Sequence, residues 1–249
     1  MGDHNALVEA LYRAPGLIQS GAGGVYYAKA RILGTDLERL LESGLLRRLQ
    51  RLELVGLPPS TAIPATWEFA ETLEYLHFIS CVEAVDEQSS VIGKFLGALS
   101  AQRLTCLKLT SSTAMAWPCL KTFCRLERLE VTQPVKSFSP LLGTIDMKPL
   151  RFLVVRDADF EAIWHSNLKY AQSLVSLTIF NCRNNAPATD VVLTHGWLPV
   201  NLVSLTIRGD VTPQFPWMLV NALNKLPHLK QIDISQVDAG SIAHYGSLT

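Results

Sequence analysis

The chain has 249 residues, 48% of them apolar and 18% charged, which is ample material for a core and excludes wholesale disorder. Lysine plus arginine equals aspartate plus glutamate at 22 each, so no global field draws the chain to nucleic acid or to an anionic membrane. No apolar run approaches the roughly 18 uninterrupted residues that a membrane-spanning helix needs.

The opening segment, MGDHNALVEALYRAPG, places acids before its first arginine and lacks an apolar run ending in a small-residue cleavage site. It therefore reads neither as a secretory signal nor as a transit peptide. Within it, LVEALYRA has helical spacing and the loop SGAGG follows. The stretch SGAGGV (20–25) has Tyr26 where a dinucleotide fingerprint wants a third glycine, and it lacks the Gly-Lys-Ser/Thr of a phosphate loop, so a turn is expected. Residues 25–30 read as a degenerate first strand lying 24 residues before Leu49. A crossover helix is expected over TDLERLLES (35–43), with Thr35 as its N-cap and Glu38 three residues on. Residues 1–44 are thus expected to form an N-terminal helical cap, with a degenerate first repeat inside it as an open option.

Residues 45–249 are expected to form a repeat solenoid with a short C-terminal tail, because one pattern governs them as far as Ile234. Leucine, two free residues, leucine, one free residue and an apolar residue recur at Leu49, Leu73, Leu104, Leu126, Leu150, Leu174 and Leu202. Leu229 closes the series with isoleucine at its second position. The starts are separated by 24, 31, 22, 24, 24, 28 and 27 residues, and the hexamer LVSLTI stands unchanged at 174–179 and 202–207. Such regularity is the mark of a repeat array, because each unit must bury its apolar face on a neighbour of similar length. Between the motifs, SVIGKFLGALSA (90–101), FEAIWHSNLKYAQ (160–172) and PWMLVNALNKL (216–226) carry apolar residues at three- and four-residue spacing, as amphipathic helices do. Strand followed by crossover predicts parallel strands.

These motifs resemble the leucine-rich repeat family, over roughly residues 45–236. The ninth position of the family pattern is met by Cys81 and Cys182 but is occupied by Leu57, Ser112, Pro134, Ala158, Asp210 and Val237 in the other units, so the asparagine ladder is largely missing. The resemblance implies an α/β solenoid with a curved parallel sheet on its concave face and helices or turns on its convex face. It also implies a non-catalytic protein–protein interaction scaffold or adaptor, one subunit of a larger intracellular assembly. Two alternatives stay open: a substrate-receptor subunit of a ubiquitin ligase, and a structural protein of a ribonucleoprotein.

Chemistry of other kinds finds no foothold in the sequence. Five cysteines (Cys81, Cys106, Cys119, Cys124, Cys182) form no CxxC and no zinc-ligand spacing. Their odd count without a signal segment fits a reducing intracellular compartment, with the cytoplasm leading and an organelle or the nucleus left open. No GxSxG, HExxH or EF-hand loop occurs. His165 and His195 lie beside Trp164 and Trp197 in crossover segments, and all five tryptophans avoid the strand motifs, which points to packing between layers. Asp157, Asp159 and Glu161 cluster just past a motif and read as a solvated loop face. No enzyme, cofactor, metal or small-molecule substrate is expected.

Strand side chains alternate, so the free residues of the motif form outward columns. The five free positions of the eight units carry seven basic and six acidic residues, a balance unlike the one-signed stripe of a nucleic-acid groove. Nucleic acid is accordingly expected only within a ribonucleoprotein. Phe152, Arg156, Phe180 and Arg208 fall in the fifth to seventh units, and aromatics with arginine are the composition of a protein-binding hot spot. With Tyr75, His77, Lys108 and Arg128 they make the expected partner-binding residues of the concave face. The open C-terminal edge strand, guarded by Lys230 and Asp233, is a second candidate surface.

Overall fold

An extended chain that repeats leucine at alternate positions presents one apolar face, and parallel strands stacked in register turn those faces into columns. The computed structural model describes residues 29–33, 37, 49–57, 71–79, 91–99, 103–110, 123–132, 149–157, 171–180, 198–209 and 223–234. The chain divides into two compact units, Met1–Leu126 and Glu127–Thr249.

In the first unit, β1 (Lys29–Leu33), β2 (Arg51–Val55), β3 (Tyr75–Ile79) and β4 (Cys106–Thr110) pair in parallel, each with the next in sequence. In the second, β5 (Arg128–Thr132), β6 (Phe152–Arg156), β7 (Ser176–Phe180), β8 (Ser204–Arg208) and β9 (Gln231–Asp233) do the same. Each unit is a parallel-strand solenoid, as the repeat requires. The extra strand at the N-terminal side is real but stands further along than residues 25–30. Its register sets Ala30 opposite Leu52 and Ile32 opposite Leu54, two residues later than the sequence alignment on Leu49.

The motif leucines do what alternation predicts. Leu52 and Leu54, Leu76 and Phe78, and Leu107 and Leu109 are buried in the first unit. So are Leu129 and Val131, Leu153 and Val155, Leu177 and Ile179, and Leu205 and Ile207 in the second. The first leucine of each motif, from Leu49 to Leu202, is buried just ahead of its strand. Ile232 breaks the series: it occupies the same inward column, opposite Leu205, yet is 46% exposed.

Successive turns are tied where each strand begins. In the first unit the Gln50 carbonyl accepts N–H groups from both Glu74 and Tyr75, and the Glu74 carbonyl accepts from Thr105 and Cys106. The same double acceptance recurs at Glu127, Arg151, Val175 and Val203 in the second unit, with distances of 2.8–3.1 Å. Side chains add rungs at this level. Thr72 Oγ1 donates to the Leu49 carbonyl at 2.9 Å, Ser173 Oγ to that of Leu150 at 3.0 Å, and Asn201 Nδ2 to that of Gln172 at 2.7 Å. These polar rungs precede the leucines, whereas the family's asparagine ladder would follow them.

A turn leads into the motif as well. The N–H groups of Leu126, Leu174, Leu202 and Leu229 donate to the carbonyls of Phe123, Ala171, Pro199 and Leu226, three residues earlier. Those four residues are buried. In the sequence the same position is held by Leu46, Ala70, Ala101 and Met147 in the remaining units, so it is apolar or proline throughout. This position is part of the repeat.

One helix of several residues is described: α1 (Val91–Ala98), within the expected segment 90–101 and between β3 and β4. Gly93 and Gly97 each cost about 1 kcal/mol relative to alanine, so its stability rests on packing. Ile92, Phe95, Leu96 and the following Leu99 are fully buried, and the Phe95 ring meets Phe78 of β3 edge-on at 5.3 Å. The longest interval of the array, 31 residues, is the one that holds this helix. No helix among the described residues is long and apolar enough to cross a membrane. The expected N-terminal helix, the glycine loop at 20–25, the five tryptophans, His165, His195, Asp159, Glu161 and nearly all of the segments 35–43, 160–172 and 216–226 lie outside the described residues.

Candidate interaction surface

The burial pattern assigns the free strand positions to the face opposite the leucines. In β2, β3, β4, β7 and β8 the first, third and fifth residues are exposed or half-buried while the second and fourth are buried. β6 departs from this at Val154, which is only 6% exposed although it stands in the outward column between Glu130 and Thr178.

The surface of the first unit centres on Tyr75. Register aligns Arg51, Tyr75 and Cys106 in one column and Glu53, His77 and Lys108 in the next. The Arg51 guanidinium lies 4.5 Å from the centre of the Tyr75 ring, a cation–π contact. His77 meets Tyr75 edge-on at 6.4 Å, and its Nε2 shares a hydrogen bond of 3.0 Å with Thr110 Oγ1, whose direction follows the imidazole tautomer. Burial pushes the Tyr75 phenol above its ordinary value of 10.0. Glu53 and Cys106 act in the same direction, while Lys108 and Arg51 oppose it.

In the second unit Phe180 is the centre. Arg156 on β6, Phe180 on β7 and Arg208 on β8 stand side by side in one column. The Arg156 guanidinium lies 4.3 Å from the centre of the Phe180 ring and that of Arg208 lies 5.5 Å away, so one aromatic holds two cations. Each arginine is anchored one strand further out. Arg156 Nε donates to Glu130 Oε1 on β5 at 3.0 Å, and Arg208 Nε donates to Asp233 Oδ2 on β9 at 3.2 Å. Arg208 Nη2 reaches the same Asp233 oxygen, and Arg128 Nη2 approaches Glu130 Oε2 at 3.9 Å. The result is a row across five strands: carboxylate, arginine, phenylalanine, arginine, carboxylate.

Phe152 stands apart from this row. It occupies the column of Arg128 and Ser176, four residues before Arg156, or about 13 Å along the strand. Its own cation is Arg151, 6.0 Å from its ring centre. The expected group of four is therefore a trio plus one separate aromatic. Glu130 and Asp233, which organise the trio, were not singled out as site residues. The signal for them was present, since both sit in the adjacent outward column where an arginine side chain reaches diagonally.

Asp157, read as part of an acidic loop face, is exposed and has a left-handed backbone with φ of 53°. Among the described residues no three His, Cys, Asp or Glu side chains come together as metal ligands do. No family model matches the chain, and no curated protein does either.

Proposed function

We propose that this chain is a leucine-rich repeat scaffold or adaptor that works by holding a protein partner against its outward strand face, as one subunit of an intracellular assembly. The observation that carries this reading is the row in which Phe180 is flanked by Arg156 and Arg208 with both arginines anchored. The few residues that dominate the energy of protein interfaces are enriched in arginine and aromatic side chains. Their anchoring matters, because an arginine already held in one geometry loses less freedom on binding.

The leucine-rich repeat assignment is supported by in-register apolar columns, strands that begin two residues after the first leucine of each motif and the crossover helix α1. In this reading the outward strand face is concave, and helices or turns make the convex side. A nucleic-acid groove would show one sign of charge, whereas here each arginine of the row faces a carboxylate.

The test is affinity purification from native extract with the wild type beside Phe152→Ala/Arg156→Glu/Phe180→Ala/Arg208→Glu, after both show the same thermal melting. Loss of a stoichiometric protein with the variant is the expected result. Retention of every partner removes the strand face from consideration and leaves the C-terminal edge as the surface to examine.

A further inference from the structure

The row around Phe180 has a chemistry that says what kind of group a partner must bring. Arg156 uses Nε on Glu130, so its terminal fork, Nη1 and Nη2, makes no hydrogen bond to a described residue. Arg208 uses Nε and Nη2 on Asp233, leaving Nη1. Both arginine side chains are about two-fifths exposed. Because both guanidiniums contact one ring, the sum of their distances to its centre bounds their separation, so the outer ends of the two arginines lie near enough for one bridging group to approach both. The outward positions of β5 to β9 carry three arginines, Arg128, Arg156 and Arg208, against two carboxylates, Glu130 and Asp233.

We infer that the strand face of the second unit receives an acidic segment of a partner protein, with a carboxylate seated over Phe180 between the open ends of Arg156 and Arg208. A planar carboxylate matches the terminal fork of arginine in a bidentate pair. Glu130 and Asp233 serve the site in two ways. They fix the guanidiniums over the ring before the partner arrives, and they confine the incoming negative charge to the middle of the row. A polyphosphate backbone, with a charge on every residue, would meet those flanking carboxylates. A short acidic segment avoids them. This inference rests on the strand face being the interaction surface.

The test uses the full chain and fluorescence anisotropy of labelled, acetylated hexaglutamate at low salt. Hexalysine, hexaasparagine and a uridine hexanucleotide serve as comparison probes. The arginines are half-buried at the surface and ion pairs that open to water contribute little to folding, so Arg156→Gln/Arg208→Gln should fold, and melting curves check this. The expected result is saturable hexaglutamate binding that weakens as salt rises and falls about tenfold or more in the double variant. Lys94→Gln, at an exposed position of α1, should leave it unchanged. Absence of saturable hexaglutamate binding, or equal binding by the double variant, overturns the proposal. So does tighter binding of the hexanucleotide. Dependence of hexaasparagine or hexalysine binding on Arg156 and Arg208 would overturn the acidic preference while leaving the face as an interaction surface. Failure of that surface itself would appear separately, as native partners retained by the four-residue variant.

Discussion

At Gly56 and Asp157 the chain leaves its strand with positive φ, 63° and 53°, and the turned N–H groups donate to the last carbonyl of the following strand, Ile79 and Phe180, at 2.9 Å. A Cβ at Gly56 would touch nothing within 4 Å, so alanine there meets only the intrinsic left-handed penalty. Gly56→Ala should lower the unfolding free energy by about 1 kcal/mol in denaturant titration, whereas Asp157→Gly should cost nothing and gain up to about 1 kcal/mol. Tyr75 gives a prediction with pH. Its phenol holds a proton more tightly folded than unfolded, so the stability it contributes is full below the unfolded value near 10 and is lost as pH rises through the higher folded value. Wild-type protein should therefore lose stability above pH 10, and Tyr75→Phe should show a shallower loss when melting is followed across that range. The site was legible in part for a plain reason. Period-2 alternation places Arg156, Phe180 and Arg208 in one column, but it says nothing of the diagonal reach by which long side chains recruit Glu130 and Asp233. Composition alone does not separate Phe152 from that trio, although its place four residues before Arg156 on one strand already sets it about 13 Å away.

Among the elements, α1 shows packing overriding propensity. Two glycines in eight residues argue against a helix, yet Ile92, Phe95 and Leu96 hold it against the core through Phe78. Phe95→Ala should cost about 3–5 kcal/mol, read by chemical denaturation, since it removes a fully buried ring and leaves a cavity beneath the helix. The strands were legible almost residue for residue. Leu-x-x-Leu-x-Leu fixes both the position and the facing of β2 to β8, because a shift of one residue would turn every leucine outward. β1 was harder to place, because alanines at 28 and 30 imitate the alternation as well as Ala30 and Ile32 do, and only pairing with Leu52 and Leu54 separates the two. The turn described ahead of Leu126, Leu174, Leu202 and Leu229 has no comparable mark in the sequence. Phe123, Ala171, Pro199 and Leu226 share a buried position but not a size or a shape, so no single letter marks it.

Across the molecule each strand is supported by its neighbours, and support is unequal. In the second unit β7 is paired on both sides, while β9 pairs only with β8 among the described strands, has three residues and keeps Ile232 half in water. Backbone amides of β7 should exchange with solvent most slowly and those of β9 fastest, and equal protection would mean that the edge is covered in solution. The unvarying register carries a further implication. Leu177, Leu205 and Ile232 meet one another as interchangeable members of a column, and the hexamer LVSLTI serves both β7 and β8 without alteration. A new segment with the same spacing needs no redesign of its neighbours, so tandem duplication can lengthen such a chain in a single genetic step. A second copy of residues 202–228, placed after residue 228, should insert one more strand between β8 and β9 and steepen the denaturant dependence of unfolding by the surface it adds.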